Sequence, residues 1–158
     1  MSHEYSEGKL VRDSAYHFLK EKLGWRGYYA YNVETFGPSS PLGRNNKEDV
    51  LLYRLFRESL KRLNPWMNKK QIDEAQEKMV AVSASDTLLA TNEKKYAFLR
   101  DGVPVTVERE DGSSSTKHAL LIDFDHPEVN DFLAVEEMWV KGELYTRRTD
   151  MLGFINGM

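Results

Sequence analysis

Thr149-Asp150-Met151-Leu152-Gly153-Phe154-Ile155-Asn156-Gly157-Met158 is the stretch on which the fold class turns. From Met151 to Ile155 no position is charged or polar, the pattern of a central strand covered on both faces. It runs into Asn156-Gly157. That dipeptide favours a type I′ hairpin turn, which needs positive φ at both central residues. A hairpin turn calls for a returning strand, yet the sequence given stops at Met158. The expectation is therefore a chain interrupted inside a β-hairpin.

Further strands are predicted upstream. Leu144 to Arg148 is one, joined through the tight connection Lys141-Gly142-Glu143 to another over Phe132 to Lys141. Lys117 to Asp125 is a third. Before the turn at Asp111-Gly112, Val103, Val105 and Val107 alternate with Pro104 and Thr106, and the proline favours a sheet edge. Tyr28 to Thr35 is aromatic and β-branched enough for one more.

The first two-thirds reads mainly helical. Leu10, Val11, Ala15, Phe18, Leu19 and Leu23 recur at three- and four-residue steps, with Ser6 as N-cap and Gly24 as the stop. A second helix is expected from Asn45-Asn46, with Asp49 in a loose capping box and Leu52, Leu55, Phe56, Leu60 and Leu63 facing inward. Asn64-Pro65 ends it. A third starts at Asn68 with Gln71 in the capping-box position, and a fourth covers about Asp86 to Arg100 before Gly102. Helices followed by a mostly antiparallel or mixed sheet make an α+β domain. The expectation is a single domain over residues 1–158.

Composition narrows the chemistry. The 158 residues are 41% hydrophobic and 30% charged, a globular balance. There is no cysteine, which excludes disulfides, zinc–cysteine sites and a thiol nucleophile. His3, His17, His118 and His126 lack metal-ligand spacing. There is no GxxxxGK[ST] for a nucleotide phosphate and no GxSxG. Apolar runs are too short to span a membrane, and the acidic N-terminus lacks a signal-peptide pattern. A cytoplasmic location is expected. Lys and Arg number 22 against 25 Asp and Glu, net −3, so the chain has no bulk attraction for nucleic acid.

Asp150 is the first candidate site residue. A carboxylate opening a buried strand needs cations, backbone donors or a metal. An ion pair with Arg147 or Arg148 would satisfy it equally. Glu7 is the second. Its ordinary role is to complement the dipole of the first helix; its functional role would be a second carboxylate at the same metal. Arg54, Arg57 and Lys61 share a helical face beside the expected pair Glu58 and Arg62. That face, with Arg147 and Arg148, is either a phosphate-tracking surface or a solvated one.

Several segments together resemble one family. They are Leu42-Gly43-Arg44, Glu48-Asp49-Val50-Leu51-Leu52, Leu60 to Pro65, Asn92, and Leu99-Arg100-Asp101-Gly102-Val103-Pro104-Val105. They continue with Leu121-Ile122-Asp123-Phe124-Asp125, Pro127, Asn130-Asp131-Phe132, Arg148-Thr149-Asp150 and Phe154-Ile155-Asn156-Gly157. Their order and spacing resemble the N-terminal nuclease region of the restriction (R) subunit of type I restriction enzymes.

The resemblance implies a PD-(D/E)xK restriction-endonuclease-like core. It implies Asp150 as the motif aspartate, holding catalytic Mg²⁺, and Glu7 as the acidic residue of the first helix. The Glu-x-Lys of the motif would follow on the next strand, and ATP-using motor domains further on. DNA and the methyltransferase (M) and specificity (S) subunits are the implied partners. One position departs from the pattern: the family usually has proline before the motif aspartate, where this chain has Thr149. Without the second catalytic strand, this chain alone is expected not to cleave DNA. Two other readings remain: a non-catalytic docking module for the M and S subunits, and a nuclease of the same fold without a motor.

Overall fold

The structure, a computed structural model, describes residues 7–83 and 85–158, with side chains from Leu10 onward. Among these residues the chain is α+β, with four α-helices, a π-helical turn and seven strands. It forms two compact units. One is the run up to Leu52 together with Asp131–Met158; the other is Tyr53–Asn130.

In the first unit, helix α1 (Glu7–His17) continues into a π-helical turn, Phe18–Lys22, and Gly24 ends it at φ 71°. The expected apolar stripe does not face inward. Leu10, Val11, Phe18 and Leu23 are each more than half exposed, while Arg12 and Tyr16 are turned in. Strand β1 follows at Arg26–Tyr29, and Gly27 gives room to the Tyr16 ring, which a Cβ there would overlap. β1 is shorter than expected. Asn32 takes φ 53°, and the amides of Val33 and Glu34 turn back to the Ala30 carbonyl.

The helix expected from Asn45 is absent; α2 begins at Tyr53. The capping chemistry is present without a helix behind it. The Asn46 side chain accepts from the amides of Glu48 and Asp49, and Asp49 accepts from the Asn45 amide. The Leu52 amide donates instead to the Gly157 carbonyl, at 2.8 Å.

The sheet of this unit has the order β1, β4 (Phe132–Glu136), β7 (Met151–Ile155), with β4 parallel to β1 and antiparallel to β7. Strands β5 (Trp139–Lys141) and β6 (Thr146–Arg148) form a second antiparallel pair. The register is unbroken between the two pairs. Glu136 faces Met151 and Trp139 faces Arg148, so Phe132–Lys141 and Thr146–Ile155 form one long ribbon. It is interrupted where Glu137 takes φ 54°.

The cover expected on both faces of β7 is not found: only Phe154 is buried, Met151, Leu152 and Ile155 are half-buried and Gly153 is exposed. The predicted turn is present. Asn156 and Gly157 have φ 54° and 83°, and Ile155 and Met158 exchange backbone hydrogen bonds of 3.2 and 3.0 Å. The turn is buried, so its polar groups need partners. The Asn156 amide donates to the Asp131 carbonyl and its side-chain oxygen accepts from the Asp131 amide, both at 2.8 Å.

The second unit holds α2 (Tyr53–Leu63), α3 (Lys69–Val80), α4 (Leu88–Asp101) and the hairpin of β2 (Val103–Glu108) with β3 (Ser114–Ala119). Leu55, Phe56, Leu60, Ile72, Phe98, Val103 and Val105 are buried core residues. Asn68 and Gln71 close the expected capping box. Gly102 caps α4 at φ 88°, where a Cβ would come within 2.7 Å of the Ala119 carbonyl oxygen. The strand expected over Lys117 to Asp125 lies earlier, because side chains take the backbone groups after Ala119. Asn64 bonds both the amide and the carbonyl of Leu120 at 2.8 Å, and Asn130 bonds both those of Asp123.

Glu74 joins α3 to β2. It accepts from Lys78 at 2.7 Å and from the amide of Thr106 at 2.9 Å. Partial burial pushes its carboxyl up, but the bonds from Lys78 and Thr106 outweigh that and hold it below the ordinary range. Its stabilisation is therefore complete above about pH 4.3 and is lost as pH falls through the lower folded value. The Thr106 amide resonance should follow this low titration in an NMR pH series, and Glu74→Gln should remove it. A Thr106 resonance that titrates with an ordinary glutamate would contradict the contact.

Candidate functional site

Asp150 sits where the long ribbon is interrupted. Its carbonyl accepts from the Glu137 amide at 3.1 Å. Thr149 donates its amide and its hydroxyl to the Met138 carbonyl, at 2.9 and 3.1 Å. The donor that proline lacks is thus in use at the one position that departs from the family pattern.

The Asp150 side chain is exposed, contrary to its expected burial. The expected ion pair is not formed either. Arg148 reaches Glu137 at 3.1 Å and lies 4.8 Å from the Tyr31 ring centroid; Arg147 lies 5.6 Å from the Tyr145 ring centroid. Among the described residues no ion pair engages the Asp150 carboxylate.

Behind it is a charged cluster that sequence reasoning missed. Glu137 is buried and bonded by Arg12 of α1 as well as by Arg148. Arg12 also approaches Glu136, at 3.6 Å. Burial pushes the Glu136 carboxyl above its ordinary range against the pull of Arg12, and the nearby carboxylates of Asp13 and Glu137 add to the rise. The available signal was Glu136-Glu137 itself, two adjacent acids at the end of an apolar strand run, a break in local pattern. Nothing in the sequence pointed to Arg12.

The other candidates are dispersed. Glu7 opens α1, and its side chain lies outside the described residues. Arg54, Arg57 and Lys61 lie on α2 of the second unit. Arg54 pairs with Glu58 at 3.4 Å, and Arg57 pairs with Asp73 at 2.6 Å. Lys61 is exposed. Trp25, half-buried, packs on Phe132 with ring centroids 5.2 Å apart, and Trp66 is covered by Lys117 at 4.0 Å.

For a hard cation such as Mg²⁺, which prefers oxygen ligands, Asp150 is a fitting donor: an accessible carboxylate held by its own backbone. No group of three or more His, Asp or Glu side chains converges on a cation position among the described residues. No helix among them is long and apolar enough to cross a membrane.

Comparison with known proteins agrees with the sequence resemblance. The chain is 27% identical over 139 residues to the type I restriction enzyme HindI endonuclease subunit of Haemophilus influenzae, covering 87% of this chain and 13% of that protein. It is 28% identical over 120 residues to a Methanocaldococcus jannaschii protein named for the MjaIXP type I restriction enzyme endonuclease subunit, covering 73% of this chain and 11% of that protein. The chain thus spans a small part of the length of these relatives. The family described as type I restriction enzyme R protein N terminus matches residues 4–158. With the match running over almost all of its length, the chain belongs to the family of type I restriction enzyme R protein N termini.

Proposed function

We propose that this chain is part of the DNA endonuclease domain of a type I R subunit, in which Asp150 helps to hold a catalytic Mg²⁺. The observation that carries the reading is the Asp150 carboxylate, exposed and outside the ion pairs of its arginine neighbours, on a backbone fixed by Glu137 and Met138. Mg²⁺ would supply Lewis acidity at the phosphate and a water of lowered pKa. This chain's part is to present the ligand. The turn at Asn156-Gly157 is of the kind that joins hairpin strands, and on this reading a Glu-x-Lys of a PD-(D/E)xK core belongs to a strand paired with β7. Glu7 is the candidate for a further carboxylate. ATP belongs to motor domains elsewhere in the subunit, and M and S subunits select the DNA. A cytoplasmic location belongs to the same reading.

On this reading residues 1–158 alone neither cleave DNA with Mg²⁺ nor hydrolyse ATP. Purified 1–158 should show neither activity, and Mg²⁺-dependent nicking by it would refute the assignment of the missing ligands. The direct test of the site is Asp150→Ala in the full-length subunit assembled with its partners, reading cleavage and ATP hydrolysis on one preparation.

The docking alternative has its own observation. Leu10, Val11, Phe18 and Leu23 form an exposed apolar row along the first helix and its π-helical turn, 51%, 65%, 56% and 55% accessible. Such a row fits burial against another subunit.

A further inference from the structure

The strand register sets two carboxylates against each other. Glu136 faces Met151 and Trp139 faces Arg148, so Glu137 stands opposite Asp150. In a regular antiparallel pair, opposed side chains share a face with their Cβ atoms about 5 Å apart, and like charges there are destabilising. The ribbon avoids this. Glu137 takes φ 54°, a left-handed conformation uncommon outside glycine. Its side chain is only 11% accessible, while Asp150 stays exposed. Strained backbone of this kind persists where the surroundings fix it, and it collects at functional sites.

Two arginines fix it. The Oε1 of Glu137 accepts from Arg12 of α1, and its Oε2 lies 3.1 Å from Nη1 of Arg148. The Glu137 amide donates to the Asp150 carbonyl at 3.1 Å. Arg148 is held a second time, with its guanidinium 4.8 Å from the Tyr31 ring centroid. Arg148 is two residues from Asp150, no more than about 7 Å of extended chain, a gap an arginine side chain can cross. It is committed to Glu137 instead, and among the described residues no ion pair engages Asp150.

We infer that Glu137 is a positioning residue for the Asp150 site: by binding Arg148 it keeps that guanidinium off the Asp150 carboxylate and leaves the carboxylate open to a divalent cation. The inference rests on the reading of Asp150 as a metal ligand. Without the Glu137 charge the two arginines would stand side by side unneutralised. Arg12 would keep Asp13 and Glu136 as partners. Arg148 has no other acidic partner among the described ion pairs, so it is the one released. Turned onto Asp150, two residues on, it would compete with the cation for the carboxylate and repel it as a like charge.

The probe is Mn²⁺, which takes the same oxygen ligands as Mg²⁺. It is titrated into the ¹⁵N-labelled 158-residue chain while the amide resonances of Thr149, Asp150 and Met151 are followed for paramagnetic broadening. The parent chain should broaden there, and Asp150→Asn should remove the effect. Glu137→Gln keeps the shape of the side chain and loses its charge. It should raise the Mn²⁺ concentration required about fivefold, the range open to an exposed ion pair. The double variant Glu137→Gln, Arg148→Gln should return it to the parent value. A Glu137 that served stability alone would behave otherwise, because a second lesion in one cluster would not restore binding.

Broadening of Glu137→Gln at the parent concentration would overturn the inference, as would a double variant no better than the single one. Absence of broadening at Asp150 in the parent chain would overturn it too. Thermal melts accompany each titration. Loss of the fold in Glu137→Gln that Arg148→Gln does not reverse would make Glu137 a structural residue and also overturn the inference. The catalytic reading is tested separately: cleavage surviving Asp150→Ala would overturn that reading, whatever Glu137 does to Mn²⁺ binding.

Discussion

Replacing Asp150 with alanine in the full-length subunit, assembled with its partners, is expected to lower Mg²⁺-dependent DNA cleavage at least about a thousandfold. ATP hydrolysis stimulated by DNA should persist. The chemistry is local. On the proposed reading the substitution removes a ligand of the metal and leaves the phosphate charge and the attacking water untreated, and three powers of ten correspond to about 4 kcal/mol of barrier. The structure sharpens the test, because the carboxylate is exposed and no ion pair to Arg147 or Arg148 would be broken. A surface substitution of this kind changes stability by no more than about 0.5 kcal/mol. Loss of both activities through unfolding is therefore not the expected outcome. Glu137→Ala supplies the contrast. It strips a buried carboxylate from Arg12 and Arg148, so its effect should appear in thermal unfolding first. A normally folded Asp150→Ala enzyme that keeps its ATPase and still cuts DNA would remove Asp150 from the site.

How much of this was legible in the sequence follows from the range of each interaction. Turn and cap chemistry is local, and it read correctly at Asn156-Gly157, Asn68-Gln71 and Gly102. Even local chemistry misled at Asn46 and Asp49, where the same side-chain bonds close a turn and no helix follows. The amide of Leu52 is claimed by Gly157, over a hundred residues away, and no window of sequence shows that.

Burial failed for a related reason. Helical periodicity at Leu10, Val11, Phe18 and Leu23 identified a helix with an apolar stripe, but which face turns inward depends on Arg12 reaching Glu137. For β7, apolar residues throughout were taken to mean cover on both faces, but only Phe154 is buried and Gly153 is exposed, because composition does not say what packs on a face. Asp150 was singled out as a carboxylate opening a buried strand, and its exposure was misjudged from that strand.

Arg44 carries the other large expected effect, and it falls on stability. Its side chain is fully buried, and that of Glu34 is only 5% accessible. The guanidinium donates to both Glu34 oxygens, at 2.5 and 2.6 Å, and to the carbonyls of Asp49 and Trp139 at 3.2 and 2.6 Å. One planar fork thus joins the loop after β1, the turn that replaces the expected second helix, and the first residue of β5. Arg44→Ala should cost about 3–5 kcal/mol, because it leaves the Glu34 charge buried without its partner and two carbonyls without their donor. Arg44→Lys should recover only part of this, since an ammonium cannot match a carboxylate bidentately. The decisive comparison is the double variant Arg44→Met, Glu34→Met. It removes both charges from the interior, and urea unfolding should show it losing much less than the sum of the single substitutions. Equal additive losses would mean that Arg44 acts chiefly on the Asp49 and Trp139 carbonyls. The same measurements bear on the candidate site, because Trp139 pairs with Arg148, two residues before Asp150. A chain that loses the Arg44 anchor should show faster amide hydrogen exchange along β5 and β6 before it unfolds as a whole.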